Sequence, residues 1–314
     1  MFDFFTIWGH GMRLSVVTLF AAAFTTGVAG VSFALVPVNP PPAVRATKLF
    51  KPAAFGPSRP ALSSNITYYV RTSGSDSKSG LSPADAFRTI RHAFDTIYHS
   101  IDVAGRSARI KVGPGTYVGN YYLSNEKALG EVILEGDPQH PSNVVLTASS
   151  RNIIETTNGA TLTIRGFKLV GAPVIAGLIA TDGGILTIDG AVDGNMEFGA
   201  NAPILAMRGG RVVVQAGYKI SGGGSVHFLV DSGGSINFIV GQTINVVGNP
   251  SFGYAFAVVG SGGVLRVPAG RFIGAARGAR FSVLANGVIN TQGGGLNFFP
   301  GTSQGFFGQG GIYF

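Results

Sequence analysis

A glycine-rich turn followed by a strand of alternating apolar residues recurs six times between residues 158 and 291. The clearest copies are Asp182-Gly183-Gly184-Ile185-Leu186-Thr187-Ile188 and Ser232-Gly233-Gly234-Ser235-Ile236-Asn237-Phe238. Aligned on the residue before the turn, the copies start at Asn158, Asp182, Arg208, Ser232, Ser261 and Ala285, with steps of 24, 26, 24, 29 and 24 residues. A step in this range points to stacked repeats, each burying its apolar side chains on the next. The first apolar column reads Leu162, Leu186, Val212, Ile236, Leu265 and Ile289; the second, two residues on, reads Ile164, Ile188, Val214, Phe238, Val267 and Thr291. Side chains two apart on a strand share a face, so both columns are expected to line one interior. Between them lie Thr163, Thr187, Asn237, Arg266 and Asn290, with Val213 as the apolar exception.

The repeat is too short for a propeller blade, which takes about 40 residues or more, and it lacks the leucine and asparagine signature of a leucine-rich repeat. Helical repeats conflict with 48 glycines among 314 residues. What fits is one coil of a parallel β-helix, with about three short strands stacked at about 4.8 Å per coil. There are no cysteines, so neither disulfides nor cysteine-ligated metals enter the argument. The net charge is +8. It is uneven: no acid follows Asp231, whereas Arg266, Arg271, Arg277 and Arg280 do. Such a surface suits an acidic polysaccharide or anionic lipid; the dense basic and aromatic interleaving of a nucleic-acid groove is missing, and no nucleic-acid partner is expected.

The remaining chain divides by composition. Residues 1–35 read as a signal peptide or membrane anchor, because Leu14 to Val38 is apolar and uncharged and follows Arg13. Residues 36–65 are a proline-rich linker. Residues 66–108 hold a first strand, Ile66 to Val70, and a helix predicted to open at Ser82-Pro83-Ala84-Asp85 and run to about Val103. Residues 109–291 form the β-helix, and 292–314 a glycine and aromatic tail that either closes the stack or meets another subunit.

The segments Tyr68-Tyr69-Val70, Gly74-Ser75-Asp76, Ser79-Gly80-Leu81-Ser82-Pro83 and Phe87-Arg88-Thr89-Ile90 resemble the entry of pectin-lyase-like right-handed β-helix proteins. Gly274-Ala275-Ala276-Arg277-Gly278-Ala279-Arg280-Phe281, Val288 to Gly295 and Phe299-Pro300-Gly301 through Tyr313 look like the C-terminal part of prophage tail-associated, tailspike-like proteins. The resemblance covers roughly residues 66–314. It implies an all-β fold, a single-stranded right-handed parallel β-helix (solenoid) with an N-terminal capping helix. The tailspike likeness also implies a virion location and a homotrimeric state, whereas the N-terminal segment implies a secreted, cell-surface, periplasmic or membrane-anchored one. The membrane is met only through the N-terminal segment.

Relatives of such a fold include polysaccharide lyases, glycoside hydrolases and non-catalytic shafts, so activity has to be argued from the site. Glycoside hydrolysis needs two carboxyl groups about 5–9.5 Å apart, which stacked coils can supply. The acids on the repeats are Glu155, Asp182, Asp189, Asp193, Glu197 and Asp231. Glu155, Asp182 and Asp231 are the catalytic candidates. Asp182 and Arg208 hold equivalent positions on adjacent coils, where an ion pair is expected. Tyr117, Tyr121 and Tyr122 are candidates for stacking on a sugar ring, with Arg208 as a further ligand contact. Asp76 offers one carboxylate where calcium needs several, and no metal or cofactor is expected. Gly301-Thr302-Ser303-Gln304-Gly305 matches a nucleophile-elbow string, but no acid or histidine follows it. His140 and His227 are isolated and, without a partner acid or metal spacing, read as surface or cap residues. The sparse acids favour a non-catalytic module that presents a rigid face to polysaccharide or cell-surface glycan. The alternative is a pectin-lyase-like lyase or a glycoside hydrolase.

Overall fold

In the computed structural model, residues 59–124, 130–173, 176–190, 195–239 and 241–314 are described. The apolar segment 14–38 and the linker up to residue 58 lie outside them. Strands gather into three sheets of ten, eight and seven strands, here the long, middle and short sheets, and every pairing is parallel. From Gly115 to Asn290 the chain visits the short, middle and long sheets in that order, coil after coil. The result is a parallel β-solenoid of about eight turns.

The long sheet carries the repeat. Leu186 pairs with Leu162 and Val212, Val212 with Ile236, Ile236 with Leu265 and Leu265 with Ile289. All six are buried, as are the six residues of the second column. The column also extends upward through irregular coils: Ile110 pairs with Leu134 and Tyr68 with Ile110. On the middle sheet the inward positions are Leu178, Ile204 and Phe228, then Ala180, Ala206 and Val230 towards the turn. The short sheet adds Leu146, Leu169, Phe198, Ile220 and Val246. Each side chain therefore meets equivalents above and below it, which removes apolar area from water in proportion to the number of coils.

The turn between the middle and long sheets explains the glycine pattern. Its first residue has positive φ in every copy (Asp182 at 49°, Arg208 at 47°, Ala285 at 47°), although only one of the six is asparagine. Two consecutive positive φ values turn the chain tightly, and the second is taken by glycine at Gly183 and Gly209. The next glycine serves a different need. A Cβ at Gly210 would sit 2.1 Å from the carbonyl oxygen of Ala180, on the coil before it, whereas one at Gly209 meets nothing. Gly210→Ala is thus expected to cost about 3 kcal/mol or more through backbone displacement, and Gly209→Ala about 1–2 kcal/mol for its positive φ alone. Urea titration of the two variants checks the order.

The helix starts later than the sequence pattern predicts. Ser82 does receive the amide of Asp85, at 3.1 Å, but only as a turn. The following residues are drawn into strand pairing: the Phe87 amide donates to Tyr69 O and the Arg71 amide to Phe87 O, at 2.8 and 2.9 Å. Asp76 accepts the amides of Arg88 and Thr89 and the Thr89 hydroxyl, at 2.8–2.9 Å. Burial pushes the Asp76 carboxyl up, and these hydrogen bonds outweigh it and hold the group below its ordinary value. Helix therefore runs over Ile90–Asp95 with Thr89 as N-cap, widens into a π turn over Thr96–Ser100, and ends before Val103. Ile90, Ala93, Phe94 and Ile97 face the core.

The tail 292–314 continues the stack. Phe306–Phe307 pairs with the strand Phe281–Val283, and Ile312–Tyr313 with Val288–Asn290. The Tyr313 ring stacks on Phe281 with centroids 4.4 Å apart.

Candidate functional site

The corner where the middle sheet turns into the long sheet brings three of the sequence candidates together. Asp182, first residue of its turn, receives Arg208 Nε at 2.8 Å and Nη2 at 3.0 Å from the next coil. It also accepts the hydroxyls of Thr157 and Thr181, each at 3.1 Å. The Arg208 guanidinium, against the opposing effect of burial, holds the Asp182 carboxyl below its ordinary value, and both threonines add to this. Glu155 points outward from the middle sheet between Tyr122 and Ile179, accepts Asn152 Nδ2 at 2.9 Å, and lies within electrostatic reach of Arg208. Asp231 is a coil further on, paired with Met207, and accepts the Ser232 hydroxyl at 3.0 Å.

This arrangement constrains the chemistry. A general acid needs a raised pKa, and Asp182 has a lowered one; as a nucleophile its two oxygens are already occupied by the guanidinium. The Asp182–Arg208 pair is largely exposed, so Arg208→Ala is expected to change stability by less than about 1 kcal/mol. Thermal melts of wild type and variant measure this.

The tyrosines separate into two environments. Tyr117 and Tyr121 are buried; Tyr117 donates its hydroxyl to Gly113 O at 2.9 Å, and Tyr121 packs near Phe94. Burial pushes the Tyr121 phenol up strongly. Their edges line a cavity of about 500 Å³ together with Thr72, Arg88, Arg91 and Asn120. Arg91 leans on the carbonyls of Tyr122 and Asn120 at 3.4 Å, and Arg88 is exposed. Tyr122 is 41% exposed on the outer face, beside Glu155 rather than in this cavity.

Two carboxylate ladders complete the polar surface. Glu135 is 7% exposed and receives Arg165 Nε and Nη2 at 2.8 and 2.6 Å, while Arg165 Nη1 reaches Asp189 at 2.8 Å. Arg109 and Lys111 flank Glu135 at 3.7 and 3.9 Å. Glu135 and the cavity arginines Arg88 and Arg91 do not stand out in the sequence. The 24-residue step from Arg165 to Asp189 is the repeat period, and it is the signal by which that ladder is found. On the short sheet Glu197 pairs in register with Lys168 and Lys219 and accepts the Ser221 hydroxyl. Burial pushes its carboxyl up, and the two ammonium groups and the hydroxyl bring it below the usual range.

His227 is a correction. It is 2% exposed, its Nε2 lies 2.8 Å from the Tyr218 hydroxyl, and the rings of Phe198, Phe228, Phe252 and Phe256 surround it. Ser303 sits in backbone pairing with Ala279. Among the described residues no three His, Asp or Glu side chains converge with metal-ligand geometry. Comparison with family models, with curated proteins and with solved structures finds no match.

Proposed function

We propose that the chain is an exported or virion-borne surface module that presents a rigid face to polysaccharide without turning the polymer over. In this reading the coil is right-handed, the helix Ile90–Asp95 closes its N-terminal end, and the module is tailspike-like within the pectin-lyase-like class. Residues 1–35 direct it across a membrane or hold it there, and three copies associate. The observation that carries the reading is a contrast. Glu155, Asp182 and Asp231 are each engaged by side-chain donors, whereas Arg88 is exposed and, with Thr72 and with Arg91 and Asn120, which bond only to backbone carbonyls, lines a cavity of sugar-binding size beside Tyr117 and Tyr121. Cationic groups over a concave polar surface favour an acidic glycan.

The test uses the full-length chain with acidic and neutral polysaccharides. Retention of the acidic polymer is expected, weakened at least about tenfold in the Arg88→Ala, Arg91→Ala double variant, with no new reducing ends or unsaturated sugars. Product formation that disappears in Asp182→Asn or Asp231→Asn, and survives in the arginine variant, would establish the lyase or hydrolase reading instead. A sedimentation mass of one chain would remove the trimer.

A further inference from the structure

Every charged side chain between Ser232 and Phe314 is an arginine. One of the four, Arg280, is held in a concave site at the C-terminal end. A cavity of about 380 Å³ is lined by Phe272, Phe298 and Phe299, by Asn249, Asn297 and Thr302, and by Arg280. The three phenylalanines form one aromatic cluster with centroids 5.1–5.6 Å apart, anchored in the core through Phe256. Arg280 is fixed rather than loose. Its Nη1 donates to Ser303 O at 3.1 Å, and a Cβ at Gly301 would lie 2.9 Å from its Cγ, so glycine lets the loop close over the side chain. The loops themselves are stitched by Thr302 N to Gly278 O and Gly278 N to the Thr302 hydroxyl, at 2.9 and 3.1 Å.

Among the described residues this guanidinium has no ion-pair partner: its Nε is shut from solvent and has no acceptor, and no Asp or Glu occurs in the last 83 residues. A buried donor on a charged group left unpaired is costly, and native structures rarely retain one without a partner. The missing partner is an anion. The rest of the lining adds a second requirement: aromatic surface for the body of a ring and two amides and a hydroxyl for its substituents.

We infer that this cavity binds a sugar unit carrying one acidic group, carboxylate or phosphate, with the acid on Arg280 and the ring against the phenylalanines. The site is separate from the Arg88–Arg91 cavity, so either one can fail alone.

The test is calorimetric titration of the full-length chain with glucuronate, glucose 6-phosphate, glucose and inorganic phosphate. At least one acidic sugar is expected to bind at least about tenfold more tightly than both glucose and phosphate. Preference between the two acidic sugars identifies the acid. Arg280→Gln is expected to lose about tenfold or more, Asn297→Ala a few-fold, and Arg277→Gln nothing. Because Arg280→Gln can disturb folding, a thermal melt accompanies it; if it does not fold, the ligand series on wild type and the exposed-loop variant Asn297→Ala decide. Glucose binding as tightly as the acidic sugars, a folded Arg280→Gln that binds like wild type, or no binding by either acidic sugar would overturn the assignment.

Discussion

Phe256→Ala is expected to destabilise the chain by about 3–5 kcal/mol, the largest effect of any single substitution considered. Phe256 is fully buried, and five aromatic rings surround it: His227, Phe228, Phe252, Phe272 and Phe299, with centroids 5.1–5.9 Å away. Removing the ring leaves a cavity that the neighbours cannot readily collapse into, because four of them, His227, Phe228, Phe252 and Phe272, lie in paired strands. It also loosens Phe272 and Phe299, which floor the Arg280 cavity. Denaturant unfolding of the variant measures the loss; a change below about 1 kcal/mol would mean the cluster is not packed as described.

Acidification is expected to destabilise the folded chain well before its carboxylates protonate. Burial drives the His227 imidazole down to about 3, so it stays neutral in the fold, while in the unfolded chain it has its ordinary value of 6.5. Its hydrogen-bond partner Tyr218 is pushed well up, and the other rings around it are phenylalanines, so no charge nearby favours the imidazolium. Above pH 6.5 both states are neutral and the stability is complete. Below it the unfolded chain takes up a proton that the folded chain refuses, at about 1.4 kcal/mol per pH unit. Between pH 6.5 and 4.5 the loss is roughly 2–3 kcal/mol. Asp76, Asp137, Asp182 and Glu197, all held low, add their losses only below that window. His227→Gln starts less stable but lacks this slope. Equal slopes in wild type and variant would mean the imidazole is accessible to protons in the fold.

How much of this was legible in the sequence follows from what repeats. The long-sheet columns were readable because the turn and strand recur at nearly constant spacing, so Leu186, Val212 and Ile236 align without any structure. Short-sheet strands are less legible, because four of the seven run to only two or three residues, such as Glu197–Phe198 and Tyr218–Ile220. The burial of His227 has no sequence signal: Val226 and Phe228 pair regularly with Ala255 and Ala257, yet the adjacent His227 and Phe228 side chains are both buried. The helix starts later than the capping pattern predicts because the local signal at Ser82 loses to strand pairing by Phe87, a contact made across 18 residues. The Asp182–Arg208 pair was visible as two equivalent positions one coil apart, whereas the Arg280 cavity joins residues around 272–280 with 297–302 and has no periodic signature.

Consecutive coils lie on one another in a fixed register. The chain has no cysteine, so engineered pairs report on it without background. Thr187 and Val213 are partners on adjacent coils, as are Val213 and Asn237, between the two inward columns. Adjacent parallel strands are about 4.8 Å apart, within disulfide range; two coils are about 9.6 Å apart, outside it. Oxidation of the double variants Thr187→Cys, Val213→Cys and Val213→Cys, Asn237→Cys is predicted to give intramolecular disulfides in the folded chain, and Thr187→Cys, Asn237→Cys none. Efficient closure of the third pair, or failure of the first two, would contradict the stacking on which the proposed sites depend.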